Sequence, residues 1–431
     1  MQESRRDLGL VRAVTVWGLT ASLFNAVVGA GIFVVPAALA ASIGAYAPLA
    51  FLICAVGVGS VAICFAEGGS RIPTSGGAYG YIEAAFGLRA GYVAGTLLWF
   101  GNVLACGSVV AALADVAVSV LPKTMMAPAH AIVIVVVIGG VALVNIGGVE
   151  AGTRLVSGTT VIKLIPLAIF LLAGAGAMHR SNFSNALEPT SAGLGRATIL
   201  ALFAFTGMEV STSASGEIAN PSRTIPRALA AAMLSITLLY VAIQVIVQGV
   251  LGTSLPHSAA PLADAMAGIH PALRLLMLIG AAVSMFGYLS SDLLGSPRML
   301  FAFAREGMLP RVLGRVHPNS HAPHVAILCY AALAGGLAIS GTFAELAVLS
   351  TLAAAAVYIL ACASAWRLAR RGLSLADRPL KFRWLGLATA AGITSMLIMI
   401  ALAERIEILG LLGVIAISVL IHLSLRRAPK P

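Results

Sequence analysis

Charge is scarce in this chain. Of 431 residues only 10% are Asp, Glu, Lys or Arg, against 59% apolar, and the charges fall in short runs between apolar stretches long enough to cross about 30 Å of hydrocarbon. A soluble domain of any size is excluded. Acidic residues are the scarcer sign, 16 against 27 basic ones. The resulting net charge of +11 would suggest nucleic acid in a soluble protein. Here the basic residues crowd onto alternate loops, so membrane topology accounts for them and no nucleic-acid partner is expected. Cysteine is also sparse: Cys54, Cys64, Cys106, Cys329 and Cys362 lie in or beside apolar stretches without metal-like spacing. They read as small core residues, not as disulfides or ligands. No HExxH, GxSxG or phosphate-cradling glycine loop occurs, so an enzyme within the membrane, a metal and a cofactor are all unsupported.

What is present is an all-α polytopic membrane protein. Twelve transmembrane helices can be read, near 14–40, 44–66, 88–121, 130–147, 156–177, 197–216, 226–251, 272–297, 323–341, 343–366, 384–403 and 406–425. With the N-terminus inside, 22 of the 27 Lys and Arg residues fall on the inner side, and only Lys123, Arg180, Arg196, Arg274 and Arg405 on the other. Both termini are therefore expected in the cytoplasm, and the location is the cytoplasmic (inner) membrane. The first apolar segment is too long for a removable signal peptide.

Two of the apolar stretches are interrupted, at Gly29-Ala30-Gly31-Ile32-Phe33 and at Phe203-Ala204-Phe205-Thr206-Gly207-Met208-Glu209. A helix that unwinds at bilayer depth strands backbone N–H and C=O groups, which is tolerated where the break lines a cavity and meets a ligand. The interrupted spans are the first and the sixth. Each would open a set of five, giving a first repeat over 14–178, a second over 197–371 and two additional helices over 384–425. That is the pattern of a 5+5 inverted repeat with broken helices 1 and 6 and the substrate between the halves. Gly29 and Gly31 let the backbone approach a ligand, and the N–H groups opening the next half-helix favour an anion such as a carboxylate. The carbonyls around Phe203, Ala204 and Thr206 form the acceptor end of a half-helix and suit an ammonium. Both poles together fit a free α-amino acid; close packing through small residues is the competing reading of the glycines.

The motifs around these breaks carry a resemblance. Gly29 to Phe33 followed by Pro36, then Phe65-Ala66-Glu67 leading into Ser70-Arg71-Ile72-Pro73 and Ser75-Gly76-Gly77-Ala78-Tyr79-Gly80-Tyr81, resembles the first two spans and inner loop of amino acid-polyamine-organocation (APC) transporters. Gly207-Met208-Glu209 with Glu217 to Arg227, and Pro297-Arg298 with Ala304 to Pro310, resemble the sixth span and the end of the eighth in that superfamily. The resemblance covers nearly the whole chain in order. It implies two inverted five-helix repeats plus two helices, and alternating-access transport of amino acids or related amines. It further implies that the Ala30 and Gly31 amides, flanked by Gly29 and Ile32, take the substrate carboxylate. The carbonyls of Val27, Phe203 and Thr206, beside Ala204 and Gly207, would take its amino group. Phe203 stands where relatives often carry an aromatic gate, a core phenylalanine being the alternative, and Asn102 resembles a substrate-contacting asparagine on the third span, or else is a buried asparagine that bonds a neighbouring helix.

Three ionisable residues inside spans need partners, because an unpaired charge there costs about 3 kcal/mol or more. Lys163 resembles the lysine that, in sodium-independent relatives, replaces a sodium ion and bridges the first and eighth spans; snorkelling to the inner face is the alternative. A buried amine there is a candidate proton-coupling group. Glu209 resembles a gating or proton-sensing acid, or else caps N–H groups freed at the break. Asp292 would pair with a cationic substrate, with Lys163, or with a neighbouring helix. The sequence thus supports a sodium-independent secondary transporter of amino acids, as proton symporter or exchanger, with a cationic amino acid or polyamine antiporter as the alternative. An ion channel or sensor is less well supported. Expected partners are the small-molecule substrate, the bilayer and protons, in a monomer or homodimer.

Overall fold

The computed structural model describes residues 14–29, 31–72, 77–119, 121–147, 163–183, 189–209, 218, 220–305, 307, 309–318, 320–375 and 379–426. Among these the chain is helical, without strands; an isolated parallel bridge joins Val14 to Ile218. The helices are α1 (Val16–Val27), α2 (Gly31–Ile43), α3 (Ala47–Arg71), α4 (Gly77–Phe86), α5 (Leu88–Val118), α6 (Lys123–Ile146), α7 (Leu164–Ala175) and α8 (Ser191–Phe205). They continue with α9 (Pro221–Leu251), α10 (Pro261–Ala267), α11 (Pro271–Gly295), α12 (Pro297–Arg305), α13 (His324–Ser340), α14 (Phe343–Arg370), α15 (Leu385–Ala401) and α16 (Arg405–Arg426).

A helix lies in each of the twelve apolar stretches, although α6 begins already at Lys123, where 130 was expected. Among the described residues, six helical stretches are by length and composition able to cross a membrane; one of them, Gly31–Arg71, holds both α2 and α3. A seventh is added if α15 and Arg405–Leu420, bent by 117°, are taken as one span. The helices α1, α7, α8 and α13 are apolar but shorter, and for α1 and α8 the shortness comes from the breaks. Large apolar side chains such as Leu172, Ile406 and Val56 are 84%, 74% and 72% exposed. So much outward-facing hydrocarbon belongs in lipid, and the protein is a multi-pass membrane protein.

The centre is built from α5 and α14, most of whose residues are buried. Their approach depends on small residues. A side chain at Gly107 would lie 3.0 Å from the Ala334 carbonyl on α13, and one at Gly101 would lie 3.3 Å from Ala353 on α14. Without a hydrophobic drive between helices in lipid, such close backbone contact supplies the packing energy. Threonine caps close several helix starts. Thr15 accepts from Gly18, Thr190 accepts from Gly193, and Thr342 with Glu345 forms a full capping box on α14.

At the other end of the bundle the Phe65-to-Arg71 motif has a structural job. Glu67 and Arg71, 1% and 5% exposed, form an ion pair at 2.7 Å. The segment before α15 is fastened to it: Phe382 N–H donates to Glu67 Oε2 (3.0 Å), Leu380 N–H to Ser70 Oγ (2.9 Å) and Leu375 N–H to the Arg71 carbonyl (2.8 Å). Higher up, α15 lies along α3, with Cys64 Sγ 3.6 Å from Thr389 Oγ1.

Candidate functional site

The two breaks touch each other. α1 ends at Val27 and α2 starts at Gly31, while α8 ends at Phe205. A Cβ on Gly31 would stand 3.2 Å from the Ala204 Cα, and one on Gly207 would stand 2.8 Å from the Ala26 carbonyl oxygen. Each break therefore has a glycine pressed against the backbone of the other broken span. Gly207 has φ +114°, a conformation that side chains oppose, so glycine is needed there for conformation and for space.

The backbone groups freed at the first break are met from elsewhere in the molecule. The Lys163 ammonium, 6% exposed and just before α7, donates to the carbonyls of Asn25 and Val28, both at 2.7 Å. Ser284 of α11 donates to the Gly29 carbonyl (3.2 Å). The Tyr240 hydroxyl of α9 lies 2.9 Å from both the Val27 and the Ala204 carbonyl oxygens. One hydroxyl proton thus serves an acceptor from each broken helix. Ala30 lies outside the described residues, and Gly31 and Ile32 open α2 with their amides at its N-terminus.

At the second break the freed groups are met largely from within. Thr206 returns its hydroxyl to the Phe203 carbonyl (2.7 Å), and the Gly207 N–H donates to both Glu209 carboxylate oxygens at 3.1 and 3.2 Å. Tyr358 of α14 adds a hydrogen bond to Glu209 Oε2 (2.7 Å). Phe203 is buried and meets the Phe343 ring edge-on, centroids 5.7 Å apart. Phe343, in turn, lines a cavity of about 260 Å³ bounded by Val34 and Ala38 of α2, Asp115 of α5 and Ser258.

Asp292 belongs to a third group. Its carboxylate accepts from Ser296 (2.7 Å) and from the Tyr330 hydroxyl of α13, and Asn102 Nδ2 donates to Ser296 Oγ (2.9 Å). Asn102, expected at a substrate, thus reaches Asp292 through a serine. Among the described residues no ion pair joins Lys163 to Asp292, and the lysine's two hydrogen bonds go to α1 and the residue after it, not to α11; the contact between α11 and the first break runs through Ser284.

Three tyrosines were missed by the sequence reading: Tyr240, Tyr358 and Tyr330 hold, respectively, the two broken ends, Glu209 and Asp292. Each is fully buried in an apolar span. A phenol there needs a hydrogen-bond partner, which was the available signal.

Comparison with known proteins decides the family. The model of the amino acid permease family matches residues 14–405. The chain belongs to that family. An uncharacterized transporter of Mycobacterium tuberculosis (strain ATCC 25618 / H37Rv) is 35% identical over 371 residues, covering 84% of this chain and 80% of the relative. The methylthioribose transporter of Bacillus subtilis (strain 168) is 25% identical, covering 83% and 81%, and the serine/threonine exchanger of the same organism is 27% identical, covering 77% and 76%. The APC resemblance therefore holds, and this permease-family protein is a transporter and not an enzyme.

Proposed function

We propose that the protein carries free amino acids across the cytoplasmic membrane by alternating access, independently of sodium, as a proton symporter or an exchanger. The carrying observation is the reciprocal contact of the two breaks, Gly31 on Ala204 and Gly207 on Ala26. It brings the N–H end of α2 and the carbonyl end of α8 to one place, where a carboxylate and an ammonium on the same carbon find opposite partial charges. Lys163, with its amine on carbonyls of the first broken span, supplies a fixed cation where a sodium-coupled relative would need an ion. The reading includes twelve crossings, both termini inside, and two inverted five-helix repeats over 14–178 and 197–371. The serine/threonine exchanger among the relatives favours small neutral amino acids and exchange. The test is uptake of labelled serine or threonine by the purified protein in liposomes, with and without internal amino acid and with an imposed pH gradient. Uptake of methylthioribose with none of any amino acid would overturn the reading.

Asp292 favours a second substrate class, cationic amino acids or polyamines, because its half-buried carboxylate would offer a counter-charge in a low-dielectric cavity. Under that reading Asp292→Asn cuts transport of a cationic ligand at least tenfold more than that of a neutral one. Equal losses assign Asp292 to holding Tyr330, Ser296 and Asn102 together.

A further inference from the structure

The turn from α14 into α15 collects positive charge without neutralising it. Between Trp366 and Trp384 stand Arg367, Arg370, Arg371, Arg378, Lys381 and Arg383, against one acid, Asp377; Arg378 and Asp377 lie outside the described residues. Three arginines elsewhere meet carboxylates: Arg71 with Glu67, Arg196 with Glu407 and Arg274 with Asp264. Among the described residues no carboxylate pairs with Arg370, Arg371, Lys381 or Arg383, and all four are exposed. Two of these cations lie on rings instead. The Arg370 guanidinium carbon stands 4.9 Å from the centre of the Trp366 ring, and that of Arg383 stands 5.4 Å from the centre of the Trp384 ring. Stacking on a ring leaves a guanidinium its N–H donors, so the planar fork that matches a phosphate stays open.

The two stacks share one level. A Cβ on Gly392 of α15 would lie 3.1 Å from Cys362 Sγ of α14; Arg370 is eight residues past Cys362, and Trp384 is eight before Gly392. Since the two helices run in opposite directions, both residues come about 12 Å along from that contact. The backbone between them is fixed. Gly372, at φ +66°, ends α14 and reverses the chain, and Leu375, Leu380 and Phe382 are then fastened to the end of α3. What covers this surface follows from where it lies. The span α14 ends at Arg370; Trp366 and Trp384 are 42% and 60% exposed, and Leu387, one turn further along α15, is 68% exposed. Cations, then rings, then hydrocarbon is the order met on passing from headgroups into acyl chains. A partner must carry negative charge on oxygen acceptors at headgroup level and apolar chains beside the rings. A phospholipid with a net negative headgroup has both.

We propose that the α14–α15 turn is a binding site for an anionic phospholipid, its phosphate taken by the Arg370 and Arg383 forks and its acyl chains lying along Trp366, Trp384 and Leu387. The site is independent of what the central breaks carry and of which face is cytoplasmic, so its test reads lipid binding and not transport. The full chain, delipidated in detergent, is titrated with phosphatidylglycerol or phosphatidylcholine, and bound lipid is counted by native mass spectrometry. The parent should hold phosphatidylglycerol at least tenfold more tightly than phosphatidylcholine. Arg370→Gln with Arg383→Gln should cut that preference at least fivefold. The control pair Arg311→Gln with Arg315→Gln removes as much charge from another exposed loop and should change it less than twofold. Arg370→Lys with Arg383→Lys keeps the surface charge and gives up the planar fork; it should lose at least threefold. Equal losses in the two glutamine pairs would mean a diffuse attraction to any basic loop and overturn the proposal. So would a preference unaltered in the lysine pair, no preference in the parent, or full displacement of phosphatidylglycerol by inorganic phosphate, which would assign the forks to a free anion.

Discussion

The two breaks solve the same problem in opposite ways. Around the first, the exposed carbonyls of Asn25, Val28, Val27 and Gly29 are met by Lys163, Tyr240 and Ser284, side chains that precede α7 or sit on α9 and α11. Around the second, Thr206 and Glu209 meet the Phe203 carbonyl and the Gly207 N–H a few residues away in sequence, with help from Tyr358. The first break is held by the fold; the second holds itself. A motion that parts α1 from its neighbours must therefore find new donors for several carbonyls, whereas α8 can move and keep much of its own satisfaction. Unmet backbone groups in hydrocarbon cost several kcal/mol each, so this difference decides which broken span is the harder to displace.

The largest effect expected is at the contact between the breaks. Gly207→Ala places a Cβ 2.8 Å from the Ala26 carbonyl at φ +114°, and backbone strain alone costs about 1–3 kcal/mol. The variant should lose transport and melt well below the parent in detergent. An unchanged Tm would separate the two breaks. Lys163→Met comes next: two carbonyls lose their donor and a fixed charge goes. Net uptake driven by a pH gradient should fall at least tenfold while weak substrate binding persists; full pH-driven uptake would show that the first break does not depend on its lysine. Tyr240→Phe sharpens the comparison, since Val27 O keeps the Gly29 N–H at 2.8 Å and the loss falls on the Ala204 carbonyl. About 1–3 kcal/mol of stability should go, read by chemical denaturation or Tm, with hydrogen exchange faster at the end of α8 than at the end of α1. The smallest change is Thr206→Ala. It removes one local hydrogen bond of about 0.5–1.5 kcal/mol and should alter uptake less than twofold, since the Phe203 carbonyl also accepts from the Thr206 N–H at 3.2 Å.

The breaks were legible in the sequence because glycine and a lone acid stand out in apolar runs, and the helices because their apolar stretches are long. Lys163 was legible as a charge where none is welcome. Its acceptors were not, because Asn25 and Val28 become its neighbours only when the first broken span packs beside the residue preceding α7. Tyr240, Tyr330 and Tyr358 were hidden for a similar reason: within an apolar span a phenol looks like any core aromatic until the opposing carbonyl or carboxylate is placed. Asn102 shows the limit from the other side: its likeness is to a substrate-contacting asparagine, and which partner its amide finds, Ser296 beyond α11, is fixed only by the packing of α5 against that region. The motif Phe65 to Arg71 was noticed only as a likeness, although its residues hold a definite place.

That place ties the end of the chain to its beginning. From Gly57 beside Ser395, through Cys64 at Thr389, to Glu67 holding Phe382, α3 and the strip running into α15 are lashed together in antiparallel register over most of their length. In the proposed division into two sets of five the last two helices fall outside both, yet α15 behaves as an outrigger to α3. Any tilt of α3 must carry α15 with it or tear the buried Glu67–Arg71 pair away from the backbone it clasps. The outer edge of the protein, where α15 and α16 meet lipid, is in this way geared to a helix that also packs against the broken spans.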